Sequence, residues 1–143
     1  MNKLSMDDTS VWNTIRELQL CLLMEKVALP SSLQNLTFGN SFNQPMDCVV
    51  LPISLQNLKF GDYFNQPMIF GNRFNQPSLQ QLQFGQEFNQ PMEEVALPST
   101  LQNLSFGSQF NQPMEKVVLP SSLQSLKFGM KFRQPMEKVA LPS

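Results

Sequence analysis

Apolar residues recur along this chain in a unit of 22 residues, and each unit holds two short apolar patterns. The first pattern is M-x-x-V-x-L, as in Met114, Val117 and Leu119, and the second is L-x-x-L-x-F, which ends on residues such as Phe106. In both patterns the last two apolar residues flank a single residue, as in a β-strand, where neighbouring side chains point to opposite faces. The patterns therefore predict two short strands in each unit.

Proline and glycine close the two patterns. Pro follows the first pattern, Gly follows the second, and a further Pro ends each F-N-Q-P sequence. Residues of these types exclude a continuous helix and mark corners of the chain. We therefore expect each unit to form one coil, with two strands and two turns, of an all-β, right-handed parallel β-solenoid.

Stacking such coils about 4.8 Å apart would place equivalent side chains on top of one another. Burying one of these side chains contributes roughly 1.5–3 kcal/mol, so buried rows of this kind would dominate the stability. The sequence predicts three rows, formed by one leucine and two phenylalanines of each unit: Leu36, Leu58, Leu82, Leu104 and Leu126; Phe38, Phe60, Phe84, Phe106 and Phe128; and Phe42, Phe64, Phe88, Phe110 and Phe132.

An asparagine follows the second phenylalanine in four units, at Asn43, Asn65, Asn89 and Asn111. The favoured interpretation is an internal row whose amides satisfy backbone groups at the corner, and the alternative is a row of amides that binds a ligand. Arg133 stands at this position in the last full unit. Because a buried arginine without a partner is costly, we expect this last corner to be exposed to solvent.

The N-terminal residues 1–23 are predicted to cap the solenoid that spans residues 24–143. In one interpretation they form a degenerate unit, in which Val11–Leu20 aligns without gaps on Leu29–Phe38 and Trp12 replaces the proline. In the other, residues 7–18 form a short helix that begins at one of three candidate capping residues, Asp8, Thr9 or Ser10. The two interpretations are equally supported.

The repeat is irregular near residues 68–79, where a second copy of the F-G-x-x-F-N-Q-P corner replaces the V-x-L pattern. We expect the second sheet to be interrupted or bulged in this coil, with Ile69, Phe70 and Phe74 filling the gap.

At the C-terminal end, the last unit stops at Leu141-Pro142-Ser143 without a polar cap. An uncapped coil exposes strand edges, so we expect either a longer natural chain or a partner on this end.

The recurring L-P-x-S-L-x-x-L-x-F-G-x-x-F-N-Q-P closely resembles the FNIP repeat, a relative of the leucine-rich repeat (LRR), over residues 24–143. In this chain the four-residue motif that gives the family its name has the sequence F-N-Q-P. The resemblance implies an LRR-like solenoid with a role in protein interaction. Such repeats often occur beside an F-box or a kinase domain, and residues 1–23 carry no motif of either kind.

The composition points away from catalysis and from several kinds of partner. The chain has no histidine, the commonest catalytic and metal-binding residue, and no phosphate-binding or metal-binding motif. We therefore predict a protein that is not an enzyme and uses no cofactor or metal.

The net charge of −1 gives no general attraction to nucleic acid, and no apolar run approaches the ~18 residues of a membrane span. Cys21 and Cys48 lie at unlike repeat positions, which predicts free thiols in a reducing intracellular compartment, cytoplasmic or organellar.

The residue between valine and leucine in the first pattern is alanine or valine in every regular unit and is expected to face outward. These residues would form an apolar stripe flanked by Glu-Lys pairs, and contiguous apolar surface is typical of a contact site. Small apolar residues also simply suit a flat strand face. The outward residues of the second pattern are polar and differ from unit to unit, which is typical of an ordinary solvent-exposed face. The predicted partner-binding residues are Ala28, Val50, Ala96, Val118, Ala140, Lys116, Lys138 and Leu141.

Two hypotheses for function follow. The first is a non-enzymatic protein-interaction module of LRR type, which binds a protein through the apolar stripe or the last coil. The second is a structural, linker or peripheral subunit that docks into a larger assembly, or end to end, through the uncapped C-terminal coil.

Overall fold

The computed structural model describes residues 3–6, 29–46, 51–68 and 76–142. Within these ranges the chain forms a single parallel sheet, whose strands follow one another in chain order. The strands are β1 (Lys3–Met6), β2 (Asn35–Phe38), β3 (Asn57–Lys59), β4 (Gln81–Gln83), β5 (Asn103–Ser105) and β6 (Ser125–Lys127). From β2 onward each strand lies one coil further along the stack, which confirms the all-β parallel solenoid.

Strands β2 to β6 are the second apolar pattern of each unit. Its leucine points into the core, and the residues on either side of it point outward. The register pairs each of these leucines with its equivalent in the next coil, which confirms the predicted leucine row: Leu36, Leu58, Leu82, Leu104 and Leu126.

The coil that begins at Met68 has 24 residues instead of 22, and it keeps this register. Leu79 closes a turn by donating its backbone N–H to the carbonyl of Gln76 at 3.1 Å, as Leu101 does to Pro98 in the next coil. Gln76 therefore takes the place of the proline, and the two extra residues fall between Met68 and Gln76. The predicted filling of this coil by residues 69, 70 and 74 lies outside the described residues.

Each described coil has one strand, and the second strand predicted for the V-x-L pattern is not formed. Two turns bracket this segment in the coil that follows Met92: Met92–Val95 and Pro98–Leu101, each closed by a backbone hydrogen bond of 3.1 Å. Only Ala96 and Leu97 remain between them. Two residues before a proline, which has no N–H to donate, are too few for a ladder.

The two predicted phenylalanine rows are confirmed, and they lie side by side. Rings of the first row are 5.2–5.6 Å apart from coil to coil, and rings of the second row are 5.9–6.2 Å apart. Within each coil the two rings stack at 3.8–4.2 Å. This double column is the centre of the core.

The glycine after the first phenylalanine is required by the close approach of neighbouring coils. A Cβ on Gly85 would collide with the backbone carbonyl of Gly61, and a Cβ on Gly107 would collide with that of Gly85. The obstacle is backbone, which cannot swing aside as a flexible side chain does. The coils can therefore stack at this corner only where the side chain is absent.

The stack is curved, with the strands on its inner side. Backbone hydrogen bonds such as Gln80 N–H to Gln56 O, at 2.8 Å, hold parallel strands about 4.8 Å apart. The separation of equivalent rings grows to 5.2–5.6 Å in the first phenylalanine row and to 5.9–6.2 Å in the second. Because the coils fan out away from the sheet, the outer face of the sheet is concave.

The first strand is not the one that the gap-free alignment implied. That alignment places Leu18 and Leu20 where Leu36 and Phe38 lie, one coil before β2. In the structure Lys3–Met6 occupies the free edge of β2, with Leu4 opposite Leu36. Residues 7–28, including Trp12 and the predicted capping helix, lie outside the described residues. In the described ranges no helix is long and apolar enough to cross a membrane.

Candidate interaction surfaces

The asparagine row at the F-N-Q-P corner satisfies backbone groups, as the favoured interpretation predicted, although its side chains are exposed or half-buried and not internal. The backbone N–H of each corner residue donates to the Oδ1 of the asparagine one coil earlier, at 2.9 Å in every step from Asn43 to Arg133. The side chain of Arg133 itself is exposed, as expected for the last corner. Arginine has no acceptor atom, so Arg133 cannot extend the row of asparagine acceptors.

The glutamine of the same motif also bonds to the asparagine one coil earlier, which the sequence pattern did not predict. Gln112 Nε2 donates to both the carbonyl oxygen and the Oδ1 of Asn89, at 3.3 and 3.1 Å. The same pair of bonds joins Gln90 to Asn65 and Gln134 to Asn111. The amide oxygens are therefore committed to holding coils together, which argues against the alternative that this row binds a ligand.

The outward side chains of β2–β6 form what we call the concave face, and it consists of two parallel rows. The first row is Asn35, Asn57, Gln81, Asn103 and Ser125, and the second is Thr37, Lys59, Gln83, Ser105 and Lys127. Neighbouring members can bond to each other, since Asn57 Nδ2 donates to Asn35 Oδ1 at 2.6 Å. The face thus presents amides, hydroxyls and ammonium groups at a regular spacing.

Two shallow depressions lie along the concave face. One, of about 440 Å³, extends over β2–β4, and the other, of about 310 Å³, extends over β4–β6. Both are lined by Gln81 and Gln83, so the two depressions adjoin at β4, and we call the pair the groove of the concave face. The sequence pattern predicts only an ordinary solvent-exposed face here, because it identifies outward residues but carries no information about curvature.

The charge on the concave face has a single sign. Lys59 and Lys127 are its charged members, and none of its ten side chains is a carboxylate. In the described ranges the carboxylates lie elsewhere: Asp62 and Glu87 at the glycine corner, and Glu93, Glu94, Glu115 and Glu137 at the methionine turn. The groove is therefore weakly electropositive on a chain whose net charge is −1.

The apolar stripe is exposed where the structure describes it. Ala96, Val118 and Ala140 face solvent, with Val118 80% exposed, while the valines that precede them are buried. Ala28 and Val50 lie outside the described residues. The stripe has little apolar bulk, because two of its three described members are alanine.

The charged neighbours of the stripe are also exposed. Lys116 Nζ lies 3.8 Å from Glu93 Oε2, an exposed ion pair between neighbouring coils. Lys138 is exposed, and Leu141 is 59% exposed. All the described members of the predicted site are thus accessible, but they extend along the edge of the stack and do not converge on a cavity.

The last described coil is less buried than the coils before it. Leu126, Phe128 and Phe132 are partly exposed, whereas Leu104 and Phe110 in the preceding coil are buried. Strand β6 is paired on its β5 side only. Met130 nearby is 81% exposed, and Lys131 Nζ donates to Gln109 Oε1 at 2.7 Å.

No group of three or more His, Cys, Asp or Glu side chains in the described ranges is arranged to hold a metal ion. Cys21 and Cys48 lie outside those ranges.

A regular stack of coils with one parallel strand each, curved toward its sheet, is the architecture of a leucine-rich-repeat-like solenoid. The model of the FNIP repeat matches residues 24–62, 42–72, 77–109 and 110–143, and the chain belongs to this family. Among solved structures it is similar to CroV588, described as a novel circular LRR protein. The two are 40% identical with a TM-score of 0.63, and the match covers 80% of this chain and 20% of that one. A search of curated proteins matched none.

Proposed function

We propose that this chain is a non-enzymatic protein-interaction module whose principal docking surface is the concave face. The observation that carries this proposal is the pair of adjoining depressions across β2–β6, whose lining includes most of the outward polar side chains of these strands. Membership of the FNIP family and the LRR-like fold support a role in interaction. The apolar stripe remains a second candidate surface on the same module.

The curvature favours the concave face over the stripe. A concave surface contacts a convex or extended partner over more area than a flat edge does, and affinity depends on a well-packed, desolvated centre. The ten outward side chains repeat at the strand spacing of about 4.8 Å, so a bound segment would meet a new pair of polar groups in every coil.

Site-specific photo-crosslinking in an extract of the native cell tests this function. A benzophenone amino acid would be placed at Gln81 or Gln83 on the concave face, at Ala96 or Val118 on the stripe, and at Gln86, on the glycine corner, as the control. We expect the concave positions to yield one shared protein adduct that an excess of the unmodified chain competes away. Adducts from the stripe alone would move the docking surface there, and equal labelling from Gln86 would contradict an interaction module of this kind.

A second candidate function is that of a structural subunit, and the partial exposure of Leu126, Phe128 and Phe132 favours it. Covering these side chains would complete the core on that side. If docking of this kind operates between copies, sedimentation will show association that depends on protein concentration and weakens when Phe132 is replaced by Ser. A monomer at all concentrations would rule out end-to-end assembly.

The reducing compartment proposed for the chain rests on its two cysteines and is tested by thiol labelling in the native cell.

A further inference from the structure

The two lysines of the concave face lie in the same row at a fixed separation. The register runs from Lys59 through Gln83 and Ser105 to Lys127, which is three steps across the sheet. At about 4.8 Å per step, the backbones of the two lysines are about 14 Å apart. Both side chains are exposed; Lys59 lines the depression over β2–β4 and Lys127 lines the one over β4–β6.

This separation matches a simple spacing in an extended polypeptide. An extended chain advances about 3.3 Å per residue, so positions four residues apart are about 13 Å apart. Because side chains of an extended segment alternate between faces, positions i and i+4 also point to the same side. A segment running across the strands can therefore place two side chains of one kind against the two lysines together.

The chemistry of the groove favours carboxylates at those two positions. Ammonium groups pair with carboxylates, and no carboxylate on the concave face competes for them. Between the lysines lie Gln81, Gln83 and Ser105, whose amide and hydroxyl groups can bond to the carbonyl and N–H groups of an extended backbone. A nucleic acid is a poorer fit, because two lysines among ten positions leave most phosphates unpaired.

We propose that the concave face binds an extended acidic segment of a partner protein, of the form E-x-x-x-E, with one carboxylate at Lys59 and the other at Lys127. This inference rests on the proposed function and adds the chemistry and the spacing of the partner. A second copy of this chain is not the occupant favoured here, since the carboxylates of the described ranges lie on turns and not on an extended segment.

An NMR titration of the intact ¹⁵N-labelled chain tests the proposal. The probe is a synthetic nonapeptide, S-T-E-T-V-T-E-T-S, and it is compared with a version that has glutamine in place of both glutamates and a version with the glutamates three residues apart. We expect the first peptide to shift the amide resonances of β3–β6, with weaker binding for the other two. Raising the salt concentration should weaken binding of the first peptide most.

Matched substitutions are available within the row itself. Lys59→Gln copies Gln83 and Lys127→Ser copies Ser105, so neither change disturbs a strand or the core. Each should weaken binding of the acidic peptide about twofold to fivefold, and the two together roughly tenfold, as for exposed ion pairs. Arg133→Asn copies the corner residue of the other units, removes one positive charge outside the groove and should leave the affinity unchanged.

The outcomes separate this inference from the function on which it rests. Equal affinity for the acidic and glutamine peptides, or no binding at all, overturns the acidic segment; crosslinks from Gln81 and Gln83 would still support a concave docking face of other chemistry. Tighter binding of an oligothymidylate probe that depends on the same lysines would overturn the proposal in favour of nucleic acid. Self-association that the two lysine substitutions abolish would identify a second copy as the occupant and overturn it too.

Discussion

The inward and outward positions of the same strands differ in how far they vary from coil to coil. At the centre of β2–β6 every coil carries leucine, while the neighbouring outward position carries Thr37, Lys59, Gln83, Ser105 and Lys127. In β2–β5 the inward leucine is buried in the core cluster together with the phenylalanine columns. The outward position contacts only solvent and its neighbours in the row. Its side chain can therefore vary from coil to coil without loss of core packing, and it can be suited to a bound partner.

The corner asparagine belongs with the inward positions, although it is polar and partly exposed. Its Oδ1 accepts hydrogen bonds from the next coil in every step, so it is as constrained as a core residue. Constancy between coils therefore marks contact with the next coil, whether the contact is apolar or hydrogen-bonded.

The largest effect is expected where the double phenylalanine column is broken at its centre. Phe88→Ala should lower the free energy of unfolding by about 3–5 kcal/mol, because Phe88 is fully buried between the rings of neighbouring coils. Phe132→Ala is the matched control and should cost clearly less, since this ring is partly exposed. Denaturant unfolding of both variants decides the point, and equal losses would contradict the assigned core.

Adding one carbon at the tight corner tests whether backbone approach limits the stack. Gly107→Ala should destabilise the protein by about 2–3 kcal/mol, because the new Cβ meets the backbone of the preceding coil. Ser108→Ala, at the adjacent position of the same corner, should change stability by less than about 0.5 kcal/mol. Thermal unfolding of the pair measures the difference, and a harmless Gly107→Ala would show that the coils are further apart than described.

A smaller loss is expected from the amide network. Asn89→Ala leaves the N–H of Asn111 and the Nε2 of Gln112 without their shared acceptor, which should cost roughly 1–3 kcal/mol. Asn89→Asp keeps an oxygen at that position and should recover most of the stability. If both variants unfold alike, the acceptor role of Asn89 is wrong.

The smallest effect is expected on the outward side. Gln83→Ser exchanges one outward residue for the type that Ser105 supplies in the next coil, and should change the free energy of unfolding by less than about 0.5 kcal/mol. The same change should alter the amide shifts that the acidic peptide produces around β4. A large loss of stability would show that the outward rows also hold the fold.

Most of the fold could be predicted from the sequence because each coil repeats the same contacts. Leu104 and Phe106 recur at a fixed spacing from their equivalents, and stacking such units in register is the arrangement that buries them together. The second strand could not be predicted correctly, because the turn from Met92 to Val95 leaves the valine buried in the same way as a strand would. The hydrogen bonds of Gln112 could not be predicted either, since a polar side chain at a corner is expected to be exposed to solvent.

The candidate surface was predicted less well than the fold. The exposure of Ala96 and Val118 followed from their place between two apolar residues of the pattern, and whether a partner binds them remains a prediction. The groove beside Gln81 and Gln83 was missed, because a sequence pattern sorts side chains into inward and outward but does not show whether the outward face is concave or convex.

The sequence by itself determined the repeat, the identity of the buried columns and the register in which the coils stack, since each depends on short-range spacing and on the burial of identical side chains. Only the tertiary structure decided the curvature, and with it the concave groove that joins Lys59 to Lys127. Curvature arises from a difference in spacing across the stack: hydrogen bonds hold the strands about 4.8 Å apart, while the rings of Phe42 and its equivalents, deeper in the core, lie 5.9–6.2 Å apart.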